Sequence, residues 1–119
     1  MSIQSFQAMG NTVAITVNVS GTASTGVTVI GNGSPMNYLI SNVSSLRIYY
    51  IMRQSIYNAD GTFSPSSGTV SNPTTGGNGN VLMPRSQQIV VGPPNATFFG
   101  ISQAGVLTFY VTPGEGSTI

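Results

Sequence analysis

Apolar and polar positions alternate along most of the chain with the two-residue period that is typical of β-strands. The clearest example is segment 12–19, one face of which carries Val13, Ile15, Val17 and Val19. Further short segments of this kind are Val27–Ile30, Asn37–Asn42, Leu46–Ile56, Val81–Pro84 and Ser86–Val91. Turns rich in Gly, Asn and Pro separate them, and no segment has a helical period. The pattern predicts an all-β fold, an antiparallel β-sandwich that is jelly-roll-like and has about 7–8 short strands.

Two runs near the C-terminus, Ala96–Ile101 and Val106–Val111, are joined by a short connection and predict a β-hairpin. Within it we expect one face to lie in the core, formed by Leu107, Phe109 and Val111 together with Phe99 and Ile101. The residues that follow, Thr112–Glu115, predict a turn that ends the sheet, because Pro113 and Gly114 suit the two central positions of a type II turn.

The length of 119 residues predicts one domain. We expect an N-terminal arm at residues 1–10 and a single β-sandwich domain at residues 11–119, with a long loop at 58–80. The loop consists largely of Gly, Ser, Thr, Pro and Asn, and loops of this length in compact domains are usually functional or mobile. Two interpretations stay open: the loop reaches a neighbouring subunit, or it is a disordered flap.

Charged residues are very sparse, namely Arg47, Arg53, Arg85, Asp60 and Glu115, and the chain has no His and no Cys. Serine nucleophiles therefore lack a base, zinc lacks ligands, and a phosphate-binding loop lacks its Lys. We predict that the protein is not an enzyme and needs no cofactor or metal. A net charge of +1 gives no basic patch for nucleic acid or for an anionic membrane. No signal peptide is recognisable, so we expect a soluble protein that is not secreted by the usual route.

The segment Leu46–Ile56 offers the strongest candidate for a protein interface. One face of it carries Arg47, Tyr49, Ile51 and Arg53, and arginine beside aromatic and aliphatic side chains is favoured at interfaces. The alternative is that the two arginines only keep an exposed strand soluble. Phe6 of the arm either docks on a neighbour or belongs to a loosely attached terminus. The interface candidates are Phe6, Arg47, Tyr49, Ile51, Arg53 and Phe63.

The C-terminal third, Met83–Gly116, resembles a known family. It has a Pro-containing approach, the pair Phe98–Phe99, the sequence GISQAG, and the ending LTFYVTPGEG. These features are similar to the C-terminal end of small capsid decoration, or cement, proteins of tailed bacteriophages. Tyr38–Val43 also resembles the strand and turn near the middle of those chains. The loop at 58–80 departs from the shorter connection expected there, so the family's contacts in that region are not carried over.

The resemblance implies a jelly-roll β-sandwich that forms a homodimer or homotrimer on the outer surface of a phage head. Such a protein is made in the host cytoplasm and becomes part of the virion. There it bridges subunits of the major capsid protein and stabilises the capsid. The expected partners are therefore the major capsid protein and the chain itself, with no nucleic acid and no membrane. The alternative is a tail-fibre or host-surface module that binds carbohydrate through Tyr, Asn and Gln side chains.

Overall fold

The computed structural model describes residues 5–19, 26–32, 36–71 and 76–116, and this part of the chain forms strands without any helix. All strand pairs are antiparallel. The eleven strands are β1 (Gln7–Ala8), β2 (Val13–Val17), β3 (Val27–Thr28), β4 (Asn37–Asn42), β5 (Ile48–Arg53), β6 (Ile56–Tyr57), β7 (Phe63–Ser64), β8 (Asn80–Leu82), β9 (Ser86–Val91), β10 (Thr97–Ser102) and β11 (Leu107–Glu115). Residues 1–4 of the predicted arm and residues 72–75 of the predicted loop lie outside the described residues.

Eight of the strands form the two layers of the sandwich. Sheet I has the order β2-β11-β4-β9, and sheet II has the order β3-β10-β5-β8. Apart from the neighbours β5 and β8, successive strands of this set alternate between the two sheets, as in a jelly roll. The predicted all-β sandwich is therefore confirmed. Two features are added to it: β1, which pairs with the end of β11, and the separate hairpin β6–β7.

The predicted hairpin at Ala96–Val111 is wrong, because its two strands belong to different sheets. β10 pairs with β3 and β5 in sheet II, whereas β11 pairs with β2 and β4 in sheet I. The connection between them crosses from one layer to the other. Phe109 and Val111 are fully buried in the core, as predicted, but the residue of β10 that joins them is Phe98. Phe99 lies on the opposite face of β10, with Ile101.

The core fills the space between the two sheets and contains an aromatic pair near its centre. The rings of Tyr38 and Phe98 meet edge to face, with centroids 5.1 Å apart. Both side chains are fully buried, and branched apolar residues from both sheets surround them: Ile15, Val17, Val29, Ile40, Ile48, Leu82 and Val111. The predicted apolar face of β2 places Ile15 and Val17 in the core, whereas Val19, at the end of that face, is 57% exposed.

Two buried polar side chains tie connections to the core. The hydroxyl of Tyr38 donates a hydrogen bond to Pro93 O (2.5 Å) and accepts one from the Ala96 N–H (3.0 Å). Burial raises the pKa of Tyr38 above its ordinary value. The amide nitrogen of Asn42 lies 2.8 to 3.2 Å from three carbonyl oxygens, those of Leu46, Leu82 and Met83. These bonds hold the segments after β4, β8 and β9 against the sandwich.

The predicted turn at Thr112–Glu115 is also wrong, since β11 continues to Glu115. The N-terminal arm lies beside this part of β11, with Gln7 opposite Glu115 and Ala8 opposite Gly114. Between Ala8 and Val13, four residues lie opposite only two of β11, which is a bulge beside Pro113, a residue without an N–H for the ladder. The Met9 N–H nevertheless donates to Pro113 O (2.8 Å). The arm therefore lengthens sheet I where the sequence predicted its end.

Candidate functional site

A second apolar cluster covers the outer face of sheet II. It consists of Tyr49 and Ile51 from β5, Phe99 and Ile101 from β10, and Val70 from the connection between β7 and β8. Tyr49 is 3% exposed and Ile51 is 7% exposed. The expectation that these two residues lie on an exposed face is therefore wrong, because a segment of the same chain lies over them.

The covering segment, residues 65–71, is here called the strap. Its Ser66 N–H donates to Thr97 Oγ1 (3.2 Å) at one end of β10. At the other end of the strap, Asn78 accepts a hydrogen bond from the Ser71 N–H (2.9 Å) and donates one to Thr69 O (3.0 Å). The described part of the predicted loop thus packs on its own sheet. Contact of this loop with a neighbouring subunit stays a prediction.

The two arginines of the predicted interface lie at opposite ends of β5. Both are exposed, and six residues of extended strand place them about 20 Å apart. Arg47 is next to the connection between β10 and β11, where its N–H donates to Gln103 Oε1 (3.0 Å). Arg53 lies beside the strap, so close to Gly68 that a Cβ on that glycine would come within 2.6 Å of Arg53 Nε. The structure therefore does not bring Arg47 and Arg53 into one site.

Two aromatic side chains of the β6–β7 hairpin, Tyr57 and Phe63, form an apolar surface, which we call the hairpin patch. Tyr57 is 68% exposed, whereas Ile56, which is 54% exposed, precedes it in β6 and therefore lies on the opposite face of the hairpin. The ring of Phe63 is half-buried and packs against Tyr57 across the hairpin, with centroids 5.2 Å apart and planes inclined by 58°. Aromatic side chains of this kind are enriched at protein interfaces. The predicted candidate Phe63 thus belongs to an exposed apolar surface, with Arg53 three residues before Ile56.

The tip of this hairpin is rigidly bonded. Asn58 donates its N–H to Thr62 O (2.8 Å) and its side-chain amide to Ser64 Oγ (2.8 Å). Asp60 Oδ1 accepts hydrogen bonds from the Thr62 hydroxyl (2.6 Å) and the Thr62 N–H (3.1 Å), and these bonds lower the pKa of Asp60. Gly61 has a φ of 87°, which suits glycine in a tight turn. These bonds fix the turn that brings Tyr57 and Phe63 together.

The base of the hairpin is tied to sheet II by a buried serine. Ser55 Oγ donates to Asn95 O (2.6 Å) and shares a hydrogen bond with Thr97 Oγ1 (2.6 Å). Ser55 lies between Arg53 and Ile56, so the hairpin begins directly after a fixed point of the sandwich.

Phe6, the candidate of the N-terminal arm, is half-buried against the chain's own C-terminal strand. A Cβ added to Gly114 would come within 2.5 Å of Phe6 Cζ, so glycine is needed for this close approach. The arm is therefore docked on β11, and contact between Phe6 and a neighbour stays a prediction.

The described residues contain no group of His, Cys, Asp and Glu side chains that could hold a metal ion. Asp60 and Glu115 are both exposed. A shallow pocket of about 280 Å³ lies at the end of β4 and β9, lined by Ser41, Asn42, Val43, Arg85, Ser86 and Gln87. It has no acid or base near its serines, and Asn42 is already bonded to backbone and Ser44. No helix that could cross a membrane is found in the described segments.

The sequence interpretation missed Ile56 and Tyr57 as surface residues. The signal for them was the turn Asn58-Ala59-Asp60-Gly61, which has an aromatic residue on each side, Tyr57 and Phe63. A short turn of this kind brings its flanking residues together on one hairpin, here with Tyr57 opposite Phe63.

Comparison of the chain with protein-family models, with curated proteins and with solved structures finds no match.

Proposed function

We propose that this chain is a structural virion protein that binds the outer surface of a phage head and stabilises the capsid by bridging subunits of the major capsid protein. The observation that carries the proposal is the hairpin patch, a rigid and exposed apolar surface on a β-sandwich with very few charges. The resemblance of Met83–Gly116 to decoration proteins gives that surface a partner.

The patch suits a site that binds through apolar contact. Tyr57 offers a large ring that loses little conformational entropy when it is buried, and Phe63 adds a second ring beside it. Arg53, which is exposed beside the strap, supplies a guanidinium that can pair with a carboxylate of the partner. A net charge of +1 means that long-range attraction contributes little, so we expect binding that changes little with salt.

The mechanism is thermodynamic. A protein that binds the assembled lattice and not the free subunits stabilises the lattice by mass action. Because one copy contacts more than one capsid subunit, separation of those subunits requires the loss of its contacts.

Cryo-electron microscopy of purified particles tests this function. Density for the chain at many symmetry-related sites over the head supports it, and particles should contain hundreds of copies. A few copies at the tail would contradict it and would favour carbohydrate binding, for which the exposed ring of Tyr57 is also suited, since the apolar face of a sugar ring packs on an aromatic ring.

The hairpin patch is tested by rebinding purified chain to heads that lack it. We expect Tyr57→Ser to weaken binding at least about tenfold, which corresponds to about 1.4 kcal/mol, and Arg53→Glu to weaken it as well. Val106→Ser is the matched control, because Val106 is 71% exposed but lies outside the hairpin. Equal binding by the Tyr57 variant and the wild type would show that the patch is not part of the interface. It would not contradict the location of the chain on the head, which the microscopy tests separately.

A further inference from the structure

Strand β9 is an open edge of sheet I. It pairs with β4 on one side, and no described residue pairs with its other side. Its six residues, SQQIVV, include no charge and no proline. Ile89 is half-buried and Val91 is 70% exposed. Edge strands in native proteins are normally short, charged, bulged or covered, because an open regular edge is a template for another strand.

The hydrogen-bond pattern shows which backbone groups of β9 are directed to this open side. The Gly92 N–H donates to Met36 O (2.9 Å), and these two residues lie directly opposite each other in the β4–β9 register. Such a bond occurs only in the hydrogen-bonded pairs of an antiparallel ladder, which alternate with non-bonded pairs. The N–H and C=O groups of Gln87, Ile89 and Val91 are therefore directed away from β4.

The other sheet edges carry features that discourage pairing. β3 has only two residues, and β8 has only three. β2 is preceded by the bulge beside Pro113, and Asn18, just after it, accepts a hydrogen bond from the Ser102 N–H (3.1 Å). Bulges and short length are both devices that protect edges. Among the described strands, β9 combines full length with an absence of such protection.

We propose that β9 pairs with β9 of a second copy of this chain, antiparallel and about a two-fold axis at Ile89. In this register Gln87 lies opposite Val91 of the partner, and each Ile89 lies opposite the other. All the outward-directed backbone groups of β9 then exchange hydrogen bonds, and the two copies of sheet I form one continuous sheet.

The side chains fit this arrangement. The outer face of the new sheet has a β-branched Ile–Ile pair at its centre, a type of pair that stabilises sheets. No charged residue lies on β9, so like charges do not meet across the axis. This β9–β9 pairing would be the surface through which the chain associates with itself. It does not depend on the capsid proposal, since it is a property of the free protein and uses no residue of the hairpin patch.

The first test measures the mass of the free protein by sedimentation equilibrium over concentrations up to ~1 mM, a range that detects a Kd as weak as about 1 mM. We expect a monomer–dimer equilibrium that Ile89→Lys weakens at least tenfold, because it places two ammonium groups beside the axis. Thr16→Lys is the matched control, since Thr16 is exposed on the opposite edge strand, β2. A monomer at all concentrations, or equal effects of the two lysines, overturns the proposal.

The second test fixes the register and does not require the lysine variant to fold. The chain has no Cys, so an introduced thiol is unique. Residues opposite each other in a bonded pair have Cα atoms about 5.5 Å apart, within the range that a disulfide spans. Ile89→Cys should therefore give disulfide-linked dimers on mild oxidation. Gln87→Cys, although more exposed, should not, because its partner copy is displaced by four residues, about 13 Å. Faster cross-linking of the Gln87 variant overturns the register proposed.

Discussion

Removal of the Tyr38 hydroxyl tests how much the fold depends on one buried polar contact. The substitution Tyr38→Phe keeps the ring and its edge-to-face contact with Phe98. It removes the hydrogen bond to Pro93 O and the one from the Ala96 N–H. The perturbation is therefore confined to two bonds at the connection between β9 and β10.

The two bonds contribute unequally, because their partners differ in exposure. Ala96 is fully buried, so its N–H has no access to solvent once the hydroxyl is gone. An unsatisfied buried donor costs about 1 to 3 kcal/mol. Pro93 is only half-buried, and its carbonyl can be hydrated at small cost. We therefore expect Tyr38→Phe to lower the free energy of unfolding by about 2 kcal/mol, which corresponds to a fall in Tm of about 8 °C for a chain of this size.

Urea unfolding followed by circular dichroism measures this loss, with the m-value as a check that the variant exposes the same surface. Tyr110→Phe is the matched control, because it removes the same atom from a half-buried tyrosine on the outer face of sheet I. We expect the control to change stability by less than about 0.5 kcal/mol. A loss for Tyr38→Phe no larger than that of the control would refute the assignment of a stabilising role to the two bonds.

Two further predictions concern the core. Phe109→Ala should destabilise the fold by about 3 to 5 kcal/mol, because Phe109 is fully buried between the sheets; a loss below about 1 kcal/mol in the same urea titration would contradict that placement. Burial raises the pKa of Tyr38 and Tyr50 above 10.0, so both phenols hold their protons more tightly in the folded state than in the unfolded one. The stabilisation that these two protonated phenols give the folded state is thus complete below pH 10 and is lost as the pH rises through the folded-state pKa values. Unfolding titrations between neutral pH and pH 12 should show this loss, and Tyr38→Phe should make it shallower.

Most strands of the two sheets could be predicted from the sequence, but their partners could not, and β1, β6 and β7 were not predicted. β4 and β9 have the predicted bounds, because each has clear turn residues at its ends. The pairing of β10 and β11 was wrong, since a four-residue connection suits both a hairpin and a crossing between layers. Which of the two forms depends on contacts with β5 and β4, distant in sequence.

The sequence indicated that the outer face of sheet II is covered, and we interpreted this as a predicted interface with a partner protein. β5 reads IYYIMR and β10 reads TFFGIS, and in both strands the apolar residues occupy both faces. Continuous apolar runs of this kind are typical of strands that are buried on both sides. The sequence could not show whether the second face is covered by a partner or by the chain itself. Val70, the single large apolar residue of the strap, provides the cover.

The segment between β5 and β8 therefore has two roles, one in covering sheet II and one in forming the hairpin patch. Its second half, the strap, buries Tyr49 and Ile51, while its first half exposes Ile56 and Tyr57 on a rigid hairpin. A patch of this size gives modest affinity alone, but if the chain is a dimer through β9, as proposed, it carries two patches and gains from effective concentration on the proposed capsid lattice. Loss of head binding in the Ile89→Lys variant would then not show that β9 touches the shell. The disulfide-linked Ile89→Cys dimer distinguishes the two cases: it binds heads at least as well as the wild type if β9 pairs with its own copy, and fails to bind if the shell needs that edge.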